Sequence, residues 1–136
     1  MPHIRVEYSA NLRDIDIPGL LAALHRAAIT SGVFPPGGTK TRAFRVDEYC
    51  IADGHPENGF VHVSVQMGHG RDLDTRKRVG EQIFAALTLY LADAYIQGPL
   101  GLSLEVLELD PVLNFKKNNL HEYVAARRQQ QQSAAD

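Results

Sequence analysis

Residues 60–67 read Phe60-Val61-His62-Val63-Ser64-Val65-Gln66-Met67. Val61, Val63, Val65 and Met67 fall on one side of this run, and His62, Ser64 and Gln66 on the other. A period of two predicts a strand buried on one face. The pattern then changes period. Asp72 and Asp74 stand where a helix would open, and Val79, Ile83, Phe84, Leu87, Leu91 and Tyr95 recur at helical spacing until Gly98-Pro99 stops the run. The spacing predicts one helix from the aspartates to about Gln97, then a last strand over about 101–109 carrying Leu102, Leu104, Val106 and Leu109.

The same order appears upstream. Ile4, Val6 and Tyr8 alternate with His3, Arg5 and Glu7, which predicts a first strand over 3–8. Asp16 followed by Pro18 fits an N-cap with proline in the first turn, and Leu20, Leu21, Leu24, Ala27 and Ala28 then predict a helix over about 17–31, ended by Gly32. Pro35-Pro36-Gly37-Gly38 reads as a loop, and a second strand is expected over about 41–51 with Phe44, Val46, Tyr49 and Ile51. Arg13-Asp14-Ile15-Asp16 and Arg71-Asp72-Leu73-Asp74 lie 58 positions apart.

The reading is therefore a duplicated βαβ unit, residues 2–58 and 59–110, each pairing two parallel strands through a right-handed crossover. Joined, the units give an α+β, two-layer fold: a four-stranded sheet with two helices on one face. The other face is expected to carry side chains such as Val, Phe or Leu and to be completed by further copies of the chain. Residues 111–124 are apolar enough to dock, and 125–136, with four consecutive glutamines, read as a frayed, solvated end.

Composition narrows the function classes. The chain has 136 residues, 44% of them hydrophobic, with net charge −2 and one cysteine. That suits a single domain of 1–124 plus a tail, with no internal disulfide and no basic footprint for nucleic acid. No apolar run approaches a membrane span, and no leader segment is apparent, so a cytoplasmic protein acting on something small is expected.

An ordered set of short motifs carries a resemblance. It comprises Met1-Pro2-His3, Ile17-Pro18-Gly19-Leu20, Gly32-Val33-Phe34-Pro35, Ala52-Asp53-Gly54, Phe60-Val61-His62-Val63, Gly68-His69-Gly70-Arg71 and Leu113-Asn114-Phe115-Lys116-Lys117-Asn118-Asn119. From Pro2 to about Tyr123 the chain resembles the 5-carboxymethyl-2-hydroxymuconate isomerases of the tautomerase superfamily. The resemblance implies a tautomerase-like homotrimer with active sites near subunit contacts. It further implies cofactor-free isomerisation of an unsaturated tricarboxylate from homoprotocatechuate (4-hydroxyphenylacetate) degradation, with Pro2 as the base.

The chemistry asks for what Pro2 offers. Moving a proton along a conjugated hydroxy-diene acid needs a base with a pKa near the working pH. An ordinary α-amine titrates at about 7.7–8.0, and burial or nearby positive charge lowers it further. Proline's ring fixes the direction of that amine. Met1 must be removed, because otherwise the Pro2 nitrogen is an amide. Read structurally, Pro2 only opens the first strand, where a missing N–H is harmless.

A polyanionic substrate needs cations. Arg42 and Arg71 match arginines of the family pattern, and Lys40 keeps the charge without the planar fork that makes Arg a better carboxylate clamp. Read structurally, Arg71 is one exposed residue flanking a helix start. Asn114 to Lys117 either help line a neighbour's pocket or belong to a helix or docked tail.

Six histidines raise the question of a metal, but His62 and His69 have no Cys or carboxylate at ligand spacing, so none is expected. Gly68-His69-Gly70 lacks the Lys-Ser/Thr of a phosphate loop. Two other readings stay open: a different tautomerase activity on a smaller oxo-acid, or a catalytically silent trimeric binding module.

Overall fold

The computed structural model describes residues 1–135. Its elements are β1 (His3–Ser9), α1 (Ile17–Thr30), β2 (Lys40–Val46), β3 (Gly59–Met67), α2 (Leu73–Tyr90), α3 (Ala92–Gln97), β4 (Leu100–Glu108) and α4 (Leu120–Ala135), with a 3-10 turn over Pro36–Gly38. The strands form one sheet in the order β2-β1-β3-β4. β1 runs parallel to β2, β3 runs parallel to β4, and β1 and β3 meet antiparallel at the centre. The two βαβ halves expected from the sequence are thus joined along one antiparallel seam.

The halves do not superpose on the Arg-Asp echo. β1 and β3 begin at His3 and Gly59, and α1 and α2 at Ile17 and Leu73, both 56 positions apart. Asp16 caps α1 by accepting from the Gly19 amide, whereas Asp72, and not Asp74, caps α2 by accepting from the Thr75 amide. The fourth residue of one copy of the echo does the work of the second residue of the other.

The core lies between the sheet and the helices. Ile4, Val6, Val61, Val63, Val65 and Met67 are buried beneath Leu20, Leu24 and Ala28 of α1 and Val79, Ile83 and Leu87 of α2. Each of the Val, Leu, Ile and Met side chains contributes about 1.5–3 kcal/mol on full burial. Gly80 lets α2 approach β4, because a Cβ there would lie 2.9 Å from the Val106 side chain. The Tyr90 hydroxyl donates to the Asp16 carbonyl at 2.9 Å and ties the end of α2 to the start of α1.

Several expectations are corrected. β2 ends at Val46 rather than 51, because its only neighbour, β1, ends opposite at Ser9. The helix over 72–97 is broken at Leu91, which has φ −99° and ψ 16°. No proline or glycine marks the break. Leu91 stays buried while Ile96 beyond it is 82% exposed, and the chain turns so that the Pro99 carbonyl meets the Gly59 amide at 3.0 Å and β4 begins.

The uncovered face does carry Phe60 on β3 and Phe44, Val46 and Leu107 on the edge strands, but most of its side chains are polar. In register across it lie His3 and Lys40, Arg5 and Arg42, Glu7 and His62, and Ser64 and Glu105. Finally, the segment 111–124 docks through Asn118 and His121, whereas Val112, Leu113 and Phe115 are exposed. Residues 125–135, expected to fray, continue α4 as an exposed helix.

Candidate active site

Pro2 is buried one residue before β1. Its carbonyl accepts from the Lys40 amide at 3.1 Å, extending the β1–β2 ladder by one step. The glycine turn closes over its ring: a Cβ at Gly38 would stand 3.7 Å from Pro2 Cδ and 3.4 Å from Pro35 Cγ. Next to it opens a cavity of about 320 Å³ lined by Met1, Pro35, Gly38, Lys116, Asn118 and His121. Met1, directly joined to Pro2, forms one wall.

The electrostatics at this spot are cationic. The Met1 amine is held below its ordinary value of 8.0, first by burial and then by the charges of Lys116, Lys40 and Arg71. That amine stands one residue outward of the Pro2 nitrogen, which is an amide here. It therefore reports the field that a freed Pro2 amine would meet close by. Lys40 Nζ lies 4.0 Å from the Met1 sulfur. Arg71 is fixed by its own contacts: it donates to the Val33 carbonyl at 3.1 Å and lies over the Phe34 ring, 5.6 Å from the centroid.

Arg42 is placed differently. It projects from the uncovered face of the sheet and donates to His3 Nδ1 at 3.0 Å, with Phe44 beside it. His3 is held below its ordinary 6.5 by burial, then by Arg42, Lys40, the terminal amine and Arg5. An imidazole that accepts from a guanidinium must be neutral at that nitrogen, so the hydrogen bond and the direction of the shift agree. Lys40 thus stands beside Met1 and the charge of Arg71 reaches the terminal amine, while Arg42, two residues along β2 from Lys40 on the same face, acts on His3.

Sequence reading did not assign Asn118 and His121 to this site, and left Lys116 between a neighbour's pocket and a docked tail. Asn118 donates to the Gly37 carbonyl at 2.9 Å across 81 positions of chain, a separation no periodicity reports. The motif from Leu113 to Asn119 was the available signal; His121 had none. An apolar groove of about 540 Å³ between Phe84, Tyr95, Ile96 and Leu102 holds no titratable group except the Tyr95 phenol.

Comparison with known proteins fits this geometry. The 5-carboxymethyl-2-hydroxymuconate isomerase family pattern matches residues 2–124. The chain is 39% identical over 122 residues to the 5-carboxymethyl-2-hydroxymuconate Delta-isomerase of Escherichia coli, covering 89% of this chain and 97% of that one. The crystal structure of a 5-carboxymethyl-2-hydroxymuconate isomerase from Deinococcus radiodurans R1 is 38% identical and superposes with a TM-score of 0.86, covering 90% of this chain and 93% of the other. At 16% identity and a TM-score of 0.58, a fused 4-OT symmetric trimer shares the fold over 86% of this chain and 92% of its own. By sequence pattern, by relatives and by fold, the chain belongs to the 5-carboxymethyl-2-hydroxymuconate isomerase family.

Proposed function

We propose that the protein isomerises 5-carboxymethyl-2-hydroxymuconate without a cofactor, using the Pro2 amine as general base once Met1 is removed. One observation carries the reading: the start of the chain is buried beside a cavity where burial, Lys116, Lys40 and Arg71 all hold an amine below its ordinary pKa. A neutral amine at pH 7 is what proton abstraction needs.

In the reaction, Pro2 nitrogen takes the proton of the enol hydroxyl. The electron pair of the broken O–H bond moves through the diene to a distal carbon as the carbonyl forms, and the prolinium returns its proton to that carbon. No proton is gained or lost overall. Lys40 and Arg71 stabilise the negative charge that develops on the way. The sheet edges and the uncovered face are completed in a homotrimer, which brings the sites close to subunit contacts.

Two variants test the base. A form that retains Met1 has an amide at residue 2 and should lose about 10²–10⁴-fold in kcat, the usual contribution of a general base. Pro2→Ala, which keeps a primary amine but frees its direction, should also lose activity on the tricarboxylate, followed by ultraviolet absorbance. An unchanged rate in either variant removes Pro2 from the mechanism.

A further inference from the structure

We propose that Lys116 is a specificity-determining residue, carried to the Pro2 cavity by a C-terminal latch and placed there to bind a carboxylate on the distal arm of the substrate. The inference rests on the proposed isomerase reading and deepens it, because it names the residue that selects a three-carboxylate substrate over a two-carboxylate one.

The latch comes first. Gly37 is buried, and a Cβ there would meet the His121 backbone at 2.7 and 2.8 Å. Only glycine leaves room for the incoming chain at that approach. The Asn118 side chain donates to the Gly37 carbonyl at 2.9 Å and accepts from the Leu120 amide at 3.1 Å. One asparagine thus fastens the segment to the turn and satisfies an amide at the start of α4. The His121 ring reaches Gly38 as well.

This attachment fixes where Lys116 stands. Two residues before Asn118, it lines the cavity and makes no ion pair among the described residues. The terminal amine, which an anionic neighbour would raise, is surrounded by cations alone. An unpaired ammonium on the cavity wall, beside a Met1 amine that also feels the charges of Lys40 and Arg71, suits a ligand with carboxylates at separate points. Lys117, its neighbour in sequence, does not line the cavity and is the natural control.

The experiment compares Lys116→Gln with Lys117→Gln on two substrates, 5-carboxymethyl-2-hydroxymuconate and 2-hydroxymuconate, which lacks the carboxymethyl arm. Lys116→Gln should raise KM for the tricarboxylate by about tenfold or more, the worth of one charge-assisted contact, and leave KM for the dicarboxylate within about threefold. Equal changes on both substrates, or none, overturn the inference.

Calorimetry with saturated acids separates the two readings, since it needs no turnover: butane-1,2,4-tricarboxylate against adipate, on Pro2→Ala with and without Lys116→Gln. A selective loss of tricarboxylate binding upholds the role of Lys116 even if Pro2 proves inessential. No selectivity overturns it even if Pro2 is the base. Gly37→Ala and Asn118→Ala test the latch. Either one that folds should reproduce the substrate-selective KM change, and a folded latch variant with unchanged selectivity overturns the latch.

Discussion

Residue scale. His3 reports the field at the head of the sheet. It accepts from Arg42, and burial with the surrounding cations holds its pKa below 6.5. The unfolded chain therefore binds a proton at this position over a pH window in which the folded chain does not, so stability should rise with pH through that window and level off above about 6.5. Urea midpoints between pH 5 and 7, with the His3 ring followed by NMR, check the sign. Arg42→Gln should bring the His3 titration closer to its ordinary value. The same logic applies to the Pro2 amine: Lys40→Gln or Arg71→Gln removes a nearby positive charge and should shift the acid limb of kcat/KM to higher pH.

Element scale. α2 is held to β4 by the absence of a side chain at Gly80, where a Cβ would meet Val106 at 2.9 Å. Gly80→Ala gains helix propensity worth about 1 kcal/mol. It must also move a packed valine, and overpacking of this kind costs about 1–3 kcal/mol. The net should be a small to moderate loss in denaturant midpoint, with the m-value unchanged. Asp72→Ala, which removes the cap on Thr75, should destabilise by about 0.5–2 kcal/mol.

β1, β3, β4 and α1 were legible because each carries an unbroken period, as the alternation from Val61 to Met67 shows. The break at Leu91 and the end of β2 at Val46 were not. Both are set by where a neighbouring strand begins or ends, and neither has a glycine or proline to mark it.

Whole-molecule scale. The sheet presents a polar, uncovered face and two open edges, β2 and β4. If closure by symmetry completes it, native mass spectrometry should find about three copies of the 15.0 kDa chain. Gel filtration at a monomer's volume at micromolar concentration would speak against that assembly. Pro2, Lys40 and Arg71, the residues proposed for the reaction, could be picked out because they lie in short, ordered motifs near strand ends. Asn118 and His121 could not, since the contact that places them joins the C-terminal segment to the Gly37 turn, 81 positions from Asn118 in sequence. Arg42 was rightly placed at the start of β2; it shares a face with Lys40 and His3 but stands two residues further along the strand, where it bonds His3.

The buried setting of Pro2, with its carbonyl bound to Lys40, also dictates how the protein can be handled. With Pro2 as the proposed base, an affinity tag fused ahead of residue 2 should leave a well-folded protein whose Pro2 nitrogen is acylated, pure by every check and inactive. A tag appended after the solvent-facing α4 avoids the fault, so a comparison of the two fusions reads the requirement for a free N-terminus from purification choices alone.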